Sequence, residues 1–533
     1  MNKNRLLVLG LTCLLLGGVV GCSPVDPSSE EQSSSSEQSS SEVPTYDNYF
    51  KVDKTKYKTT YNGLRTSSIY TCEAKQDGDV KVLVVPVDFV GYEAERMPLG
   101  AEGTLEALDT CFFGDPNDPE DAKNLYHHSL ASFYNTSSYG QCNMTGRVLP
   151  WWHTNKTPLN YLKAGGTPAL VSAVQDYYLN GEGKDLINLK DYDGNNDGYV
   201  DLVHFIYTCP TGAAELEKDD NSFWAYCTST SAFNPNPEET ALISRYIFAS
   251  YEFLYEGGNY SAGNGSKVAW TSTQKKNNQV KFSTHTLIHE SGHGLGLPDY
   301  YSYDYNGDSP MGGLDMMDHN IGDHNAVSKS WYGWTEPYVV TGDADITIGA
   351  WETTGDCILV PIKDANWEAD YTLLDEYIML QFDTGTGVAT TDAQIAYNST
   401  GKYFNEPGVR MLHADARIGL LGPDGSFLGY SKTYKVNAGY YADLAHDNTA
   451  SRTVNDNDLL EVILPSGTPN NKAVDNASLW REGDTLNDFE MNTVLPTSSF
   501  NEKFNLGFTI TIEEINGSES ALIKIREISS TIE

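Results

Sequence analysis

The chain has 533 residues, and its 73 Asp and Glu outnumber its 35 Lys and Arg, which gives a formal net charge of −38. This charge argues against nucleic acid as a partner, because phosphate backbones bind basic faces, and it favours the accumulation of divalent cations. With 39% hydrophobic and 11% aromatic residues the chain as a whole is not disordered. Fibrous and membrane-embedded classes do not fit this composition, and the length is enough for at least one large core.

The first residues have the layout of an export signal. Basic residues precede an apolar run over residues 6–20, and Gly21 and Cys22 follow it. The end of this run resembles the bacterial lipobox, in which the cysteine becomes the lipidated first residue of the mature protein. We therefore predict a lipoprotein signal peptide over residues 1–21 and a bacterial cell-surface protein attached to the membrane by a lipid on Cys22. The alternative is an ordinary signal peptide with a chance cysteine.

A polar segment over residues 22–44 follows the signal. It is rich in Ser and Glu and has too little apolar surface to pack, which predicts a solvated tether. Six cysteines are scattered beyond it without a CxxC pair: Cys72, Cys111, Cys142, Cys209, Cys227 and Cys357. Some of them could oxidise in an exported chain, but their pairing does not follow from the sequence.

Two architectures are predicted after the tether. Residues 45–337 contain two Val-rich apolar runs that predict buried strands and two stretches that predict helices, in the order 81–89, 126–134, 200–207 and 284–295. Alternation of strand and helix is typical of a mixed α/β domain. Short β-rich runs separated by Asn, Gly and Asp turns predict a β-rich C-terminal region over residues 338–533.

The strongest chemical signal is an HExxHxxGxxD pattern that begins at His289. On a helix, His289 and His293 project from one face, so both imidazoles can reach one Zn²⁺. Gly296 allows a sharp turn that returns Asp299 as the third ligand, and the fourth position stays open for water, as a catalytic zinc requires. Glu290 then lies beside the metal and does not ligate it.

His285, one helical turn before His289, suggests a third histidine ligand on the same helix. We exclude it from the catalytic set, because three ligands in a row on a rigid helix span about 12 Å at 1.5 Å rise per residue, too far for one metal. The expected mechanism is hydrolysis of a peptide bond by a zinc-activated water, with Glu290 as general base and later as proton donor to the leaving amine. The sequence does not identify the group that stabilises the oxyanion.

The segments after the ligand run carry a family resemblance. Met316 and Met317 lie in a turn-prone stretch, where either could form a Met-turn beneath the zinc ligands, and we favour Met317. With the ligand run and the segments 129–146, 324–334, 376–380 and 408–416, the chain resembles the bacterial secreted zinc metallopeptidase family typified by immune inhibitor A. The resemblance implies an α/β (α+β) metzincin-like peptidase domain followed by the β-rich region, acting on proteins or peptides, with no obligate protein partner evident.

A second ion site is predicted near residue 193. The side-chain oxygens of Asp193, Asn195, Asp197 and Asp201 occupy the first, third, fifth and ninth places of a calcium loop, and the carbonyl of Tyr199 occupies the seventh. The twelfth residue is a histidine and the loop leads into a strand, so an EF-hand is not expected. The alternative is an Asx-rich turn without an ion. We predict a structural Ca²⁺ in addition to one catalytic Zn²⁺.

A competing hypothesis is a surface adhesin or glycan-binding lipoprotein in which the peptidase body is inactive. Glu290 argues against it, since an inactive descendant could lose that residue without losing its fold. The natural substrate and the subsite preference do not follow from the sequence.

Overall fold

The structure is a computed structural model that describes most of the chain between Tyr46 and Ile528. The described residues are 46–53, 74–211, 216, 222–230, 233–255, 282–301, 309–362, 373, 375–397, 401–416, 418–421, 427–431, 441–443, 458–470, 472–494 and 501–528. The chain divides into two units, Met1–Pro44 and Thr45–Glu533. The predicted signal peptide, Cys22 and the tether lie outside the described residues, as does Cys72. No helix in the described ranges is both long and apolar enough to cross a membrane.

A six-stranded sheet forms the first part of the second unit. After β1 (Asp47–Lys51), its strands are β2 (Gly78–Asp88), β3 (Cys142–Val148), β4 (Trp152–His153), β5 (Leu202–Tyr207), β6 (Tyr226–Ser229) and β7 (Arg245–Ser250). The order is β3-β2-β5-β7-β6, with β4 also beside β2. These pairings are parallel except for β6, which runs antiparallel to β7. Every residue of β5 is buried, as expected for a parallel strand covered on both faces.

Ten α-helices are described. They are α1 (Gly100–Phe113), α2 (Pro119–Asn124), α3 (Leu130–Ser137), α4 (Pro158–Lys163), α5 (Gly166–Leu179), α6 (His285–Gly294), α7 (Met316–His319), α8 (Ala326–Trp331), α9 (Trp351–Thr354) and α10 (Thr390–Gln394). The helix predicted over residues 284–295 is confirmed as α6. The helix predicted from residue 126 begins only at Leu130, because Ser129 is its N-cap and accepts a hydrogen bond from the backbone N–H of Ser132.

Strands dominate after residue 337, as predicted. They are β8 (Tyr338–Gly349), β9 (Cys357–Pro361), β10 (Glu376–Asp383), β11 (Gly408–Asp415), β12 (Ile418–Leu421), β13 (Phe427–Ser431), β14 (Tyr441–Asp443), β15 (Leu460–Ile463), β16 (Thr485–Leu486), β17 (Glu490–Val494), β18 (Asn501–Asn505), β19 (Phe508–Asn516) and β20 (Ser520–Glu527). A nine-stranded sheet has the order β15-β11-β10-β9-β8-β20-β19-β16, and β1 also pairs with β8. Two smaller sheets have the orders β13-β12-β14 and β17-β18.

The predicted boundary at residue 337 lies inside one compact unit, Thr45–Glu533. One hydrophobic cluster contains Val82 of β2, Leu287 of α6 and Tyr377 of β10. Strand β1, which the sequence assigns to the peptidase domain, pairs with β8 of the C-terminal sheet. Residue 337 therefore marks a change from mixed α/β to mainly antiparallel β architecture within a shared core.

The cysteines show no disulfide among the residues that the structure describes. The side chains of Cys111, Cys142, Cys209 and Cys357 are buried, and that of Cys227 is partly buried. The four buried cysteines are members of the hydrophobic core.

Candidate metal centre

Helix α6 carries the HExxH residues and packs closely on its neighbours through two glycines. A methyl group on Gly292 would clash with the sulfur of Met317, and one on Gly294 would clash with the side chain of Leu202 in β5. The absence of a side chain at both positions lets the helix backbone approach the Met317 segment on one side and the sheet on the other. His289 and Glu290 are thereby buried, with exposed fractions of 4% and 6%.

The turn after α6 brings the predicted third ligand back to the helix. Gly296 has φ of +108°, a left-handed conformation that favours glycine, so the turn predicted at this residue is confirmed. The backbone N–H of Leu297 donates to the carbonyl of Gly292 at 3.0 Å. Three residues after Gly296, Asp299 lies against the two histidines.

His289, His293 and Asp299 form a group that could hold a metal ion, with one ligand atom from each lying within 4.8 Å of the others. The Nε2 atoms of His289 and His293 are 3.0 and 3.2 Å from the same oxygen, Oδ1 of Asp299. The two imidazole planes are perpendicular, with ring centroids 4.8 Å apart. Their nitrogens can therefore approach one point from different directions.

Backbone carbonyls fix the orientation of both imidazoles. Nδ1 of His289 lies 2.8 Å from the carbonyl oxygen of Met316, and Nδ1 of His293 lies 2.7 Å from that of Leu297. A carbonyl only accepts, so each Nδ1 carries the proton and donates. In the neutral rings each Nε2 is then left with a lone pair, which is the arrangement found in metal-ligating histidines.

The electrostatics of the group favour a cation. Two Nε2 lone pairs and a carboxylate oxygen face one another in a buried space, and three acceptors repel unless a proton or a metal ion lies between them. Burial disfavours the charged form of Asp299, but His293 and His289 overcome it and hold the pKa of Asp299 well below its usual range. Burial also opposes protonation of His293, yet Asp299 raises the pKa of this ring. The donor set matches that of zinc.

Glu290 lies beside this group without joining it. Its Oε2 atom is buried and has no hydrogen-bond partner in the described part of the chain. Burial raises the pKa of Glu290 to about 7, and His289 acts against the rise. The position agrees with the predicted role of a proton acceptor next to the metal.

The two candidate methionines of the Met-turn contribute in different ways. The sulfur of Met317, the residue favoured from the sequence, lies against Gly292 between the two histidines of α6. Met316 instead supplies the carbonyl that accepts from His289. The backbone N–H of Tyr300 donates to the carbonyl of Met317 at 2.8 Å, which joins this segment to the turn segment that carries Asp299.

Two aromatic side chains that the sequence does not single out lie next to the group. The ring of Tyr301 is 6.3 Å from that of His289, and the ring of His319 is 6.3 Å from that of Tyr301. Nδ1 of His319 is 2.5 Å from a carboxylate oxygen of Asp318, and this hydrogen bond raises the pKa of His319. The side chain of His319 is half exposed, so a substrate can reach it. The only sequence signal for His319 is its place directly after the Met-turn.

His285 does not join the three predicted ligands. This agrees with the helix-geometry argument that excludes it from the catalytic set. It belongs to a second buried group with His127 and Asp392. Across the residues that the structure describes, these are the two groups of at least three His, Cys, Asp or Glu side chains whose ligand atoms lie within 4.8 Å of one another.

The predicted calcium loop is not a third such group. Asp193 accepts from Nζ of Lys190 at 2.6 Å, so a lysine supplies positive charge to the first predicted ligand. The two oxygens of Asp201 accept from backbone N–H groups, and Oδ1 of Asp197 accepts from the backbone N–H of Tyr199. This is the bonding of the alternative, an Asx-rich turn. Calcium remains a prediction, which melting curves of the parent and Asp197→Ala with and without Ca²⁺ would test.

Comparisons with known proteins do not add a family to this geometry. Neither a scan against models of protein families nor a search of curated proteins gives a match. The functional argument therefore depends on the chemistry of the centre, and the resemblance to the immune inhibitor A family remains a prediction.

Proposed function

We propose that this protein is a zinc-dependent, metzincin-like endopeptidase of the immune inhibitor A type that hydrolyses peptide bonds in extracellular proteins. The observation that carries the proposal is the convergence of His289, His293 and Asp299 beside the buried carboxylate of Glu290. The three converging groups are all acceptors, so they need a proton or a metal ion between them. A structural zinc site has four protein ligands, whereas three are typical of a catalytic site.

The residues around the centre divide the reaction between them. When bound, a zinc ion lowers the pKa of a water molecule and polarises the substrate carbonyl. Glu290 accepts a proton from the attacking water and passes it to the leaving nitrogen. A pKa of about 7 suits both steps, because the group has to gain and lose a proton near neutral pH. The carbonyls of Met316 and Leu297 keep the ligand histidines oriented throughout.

An extended peptide is the substrate that fits the surroundings best. Among the described strands, β6 is an edge strand of its sheet and has β7 as its neighbour. The backbone groups on its other side can therefore pair with an added strand. Arg245 at the start of β7 donates to Cys227 of β6, and its charge acts against the rise in the pKa of His293. The edge strand is therefore near the metal ligands.

Stabilisation of the oxyanion is assigned to His319. It is held by Asp318, is half exposed, and lies beside the ring of Tyr301, which in turn lies beside that of His289. Its raised pKa keeps the imidazolium, a charged hydrogen-bond donor, present to higher pH than an ordinary histidine.

The cell-surface location is proposed from the sequence alone. Lipidation of Cys22 would anchor the enzyme through acyl chains, and the tether would separate it from the membrane. A Cys22→Ser variant should lose the lipid and no longer fractionate as a mature membrane-bound protein. If it still did, the anchor would have to be something other than a lipid on this residue.

The deciding experiment compares metal content with hydrolysis in the purified full chain. Glu290→Gln should keep zinc and a parent-like melting curve but lose hydrolysis of denatured protein by roughly 10²- to 10⁴-fold, because it removes a proton acceptor and no ligand. His289→Ala should lose zinc at this centre as well as activity.

The same comparison separates the enzyme from the inactive adhesin. A parent chain that carries zinc at this centre but hydrolyses no denatured protein would refute the peptidase proposal. Parent-like turnover of Glu290→Gln would remove the assigned role of the glutamate while leaving the metal centre intact.

A further inference from the structure

A second buried histidine and aspartate group lies one helical turn from the candidate centre. His285 is the first residue of α6, His127 precedes α3, and Asp392 belongs to α10 in the C-terminal part of the chain. Their exposed fractions are 0%, 6% and 0%. One ligand atom from each residue lies within 4.8 Å of the other two, and the group shares no residue with the candidate catalytic set.

His127 is the member that lacks an explanation as a purely structural residue. Both of its ring nitrogens are buried, and neither has a hydrogen-bond partner among the described residues. A neutral imidazole always carries one N–H donor and one acceptor, so burying both without partners is unfavourable. The pKa of His127 is well below its usual value, because burial opposes protonation. A metal ion could bind the buried, unpaired lone pair of a ring nitrogen of His127.

The other two members are held in place by neighbours, as ligands are. Nδ1 of His285 is 2.9 Å from the hydroxyl of Ser283, and its Nε2 is 3.0 Å from Oδ1 of Asp392. The backbone N–H of Gly322 donates to the second oxygen of Asp392 at 2.8 Å. Ser283 therefore holds the Nδ1 side of His285, and Gly322 holds one oxygen of Asp392. The Nε2 atom of His285 and the other oxygen of Asp392 face each other.

We propose that His127, His285 and Asp392 form a second binding site for a divalent transition-metal ion, with Zn²⁺ the best fit to two imidazoles and one carboxylate. The site joins the segment before α3, the start of the helix that carries the candidate catalytic ligands, and α10 of the C-terminal part, so a bound ion would link elements that are distant in sequence.

Binding requires one rearrangement and one proton release. The rings of His127 and His285 are stacked, with centroids 4.6 Å apart and planes at 18°, so their lone pairs do not yet converge. Rotation of the His127 ring about its side-chain bonds would direct a nitrogen to the ion. The ion would replace the proton shared by His285 and Asp392, so zinc uptake releases that proton to solvent.

A purely aromatic role is the competing explanation. His285 also stacks on Tyr397, with centroids 4.1 Å apart, so the group could be a stack of three rings that binds nothing. That explanation predicts no metal beyond the catalytic ion, and it does not satisfy the nitrogens of His127.

Zinc stoichiometry of the purified full chain tests the site. The protein is loaded with ZnCl₂, dialysed against metal-free buffer and analysed for zinc per chain. We expect about two zinc ions in the parent, one in His293→Ala and one in His127→Phe, which keeps an aromatic ring at the stack but removes the ligand. His128→Phe is the matched control, because Nδ1 of His128 is already engaged by Ser132, and it should bind as the parent does.

The parent measurement alone can overturn the proposal. One zinc per parent chain, lost in His293→Ala, would leave the aromatic explanation and the proposed peptidase intact. Two zinc ions in both the parent and His127→Phe would place the second ion elsewhere. If His127→Phe does not fold, Asp392→Asn replaces it, and Co²⁺ titration of the parent, followed by visible absorption, counts the sites without any variant.

Discussion

The orientation of each candidate ligand histidine is set by the hydrogen bond of its Nδ1 atom. His289 donates to the carbonyl of Met316 and His293 to that of Leu297, so both present Nε2 to Asp299. The acceptors are backbone atoms, which substitution of the Met316 or Leu297 side chain does not remove. The orientation of the rings is therefore a property of the chain path and depends little on the neighbouring side chains.

Replacing His319 tests the oxyanion assignment. We expect His319→Gln to lower kcat by roughly 10²- to 10³-fold, because it removes a charged donor that acts on the developing negative charge. Zinc content and KM should stay close to those of the parent. Steady-state kinetics on one peptide substrate give both parameters.

The pH profile separates a donor from a residue that only packs. The hydrogen bond to Asp318 raises the pKa of His319, so Asp318→Asn should move the loss of activity at high pH to lower pH. His153→Gln is the control, since His153 is also paired with an aspartate, Asp88, and lies on β4. An unchanged kcat in His319→Gln would rule His319 out.

His413 makes part of the stability dependent on pH. Burial opposes its protonation, but hydrogen bonds to Glu376 and Glu461 raise its pKa to about 10. The folded value exceeds the unfolded value of about 6.5, so the stabilisation is complete below pH 6.5 and is lost as pH rises to about 10. The difference in unfolding free energy between the parent and His413→Gln should shrink over this range in denaturant titrations. A difference independent of pH would contradict the assignment.

The residues of the metal centre could be predicted where their spacing is local. His289, His293 and Asp299 fall within one helix and the turn that follows it, so their relative positions follow from local backbone geometry. His127 and Asp392 are distant in sequence, and only tertiary packing brings them to His285. At the predicted calcium loop the spacing favours an ion over an Asx-rich turn, but the positive charge that Lys190 supplies to Asp193 is not visible in the motif.

Among the secondary structure elements, α6 depends on a glycine within its own span. Alanine is favoured over glycine inside helices by about 1 kcal/mol, so Gly292→Ala would stabilise an isolated α6. In the protein the added methyl meets the sulfur of Met317, and overpacking of this kind costs about 1–3 kcal/mol. We expect the melting temperature of Gly292→Ala to fall.

A second substitution should relieve the clash. Met317→Ala combined with Gly292→Ala should be less destabilised than the sum of the two single variants, because the methyl then has room. Gly401→Ala is the control, since a methyl at that glycine meets no atom within 4 Å. Strict additivity of the two changes would show that Met317 does not limit the approach of the helix.

The elements themselves were predicted best where the sequence was continuous and apolar. The runs predicted over residues 81–89 and 200–207 overlap β2 and β5. A parallel strand that is buried on both faces requires a nearly continuous apolar sequence, which is easy to recognise. The predicted start of α3, residue 126, lies four residues before its first residue, Leu130. Its true start is set by the side chain of Ser129, and the preceding residues continue from Leu125, which forms an isolated bridge with Phe282.

At the scale of the molecule, the C-terminal sheet supports the candidate metal centre. Arg410 of β11 is buried, forms a two-bond pair with Asp383 and donates to the carbonyl of Leu314, just before the Met-turn. The indole N–H of Trp351 donates to the carbonyl of His324. These links cross the boundary at residue 337 that the sequence predicts.

A chain that ends at residue 337 should therefore not fold to a stable domain. Truncation exposes the hydrophobic cluster that both parts share and leaves the carbonyl of Leu314 without its donor. We expect no cooperative thermal transition and no retained zinc in this fragment, measured by circular dichroism and metal analysis. The control is the chain from residue 45 to 533. A cooperative, zinc-binding fragment would show that the first part folds independently.

The pairing of β1 with β8 determines where a mechanical load enters the protein. β1 begins at Asp47, three residues after the proposed tether ends at Pro44, and it pairs with β8 from Tyr338 to Ala344. If the N-terminus is held at a membrane while a large substrate pulls on the enzyme, tension is first borne by the hydrogen bonds between these two strands. The nine-stranded sheet would then bear the tension first, before the six-stranded sheet that packs beside the candidate metal ligands.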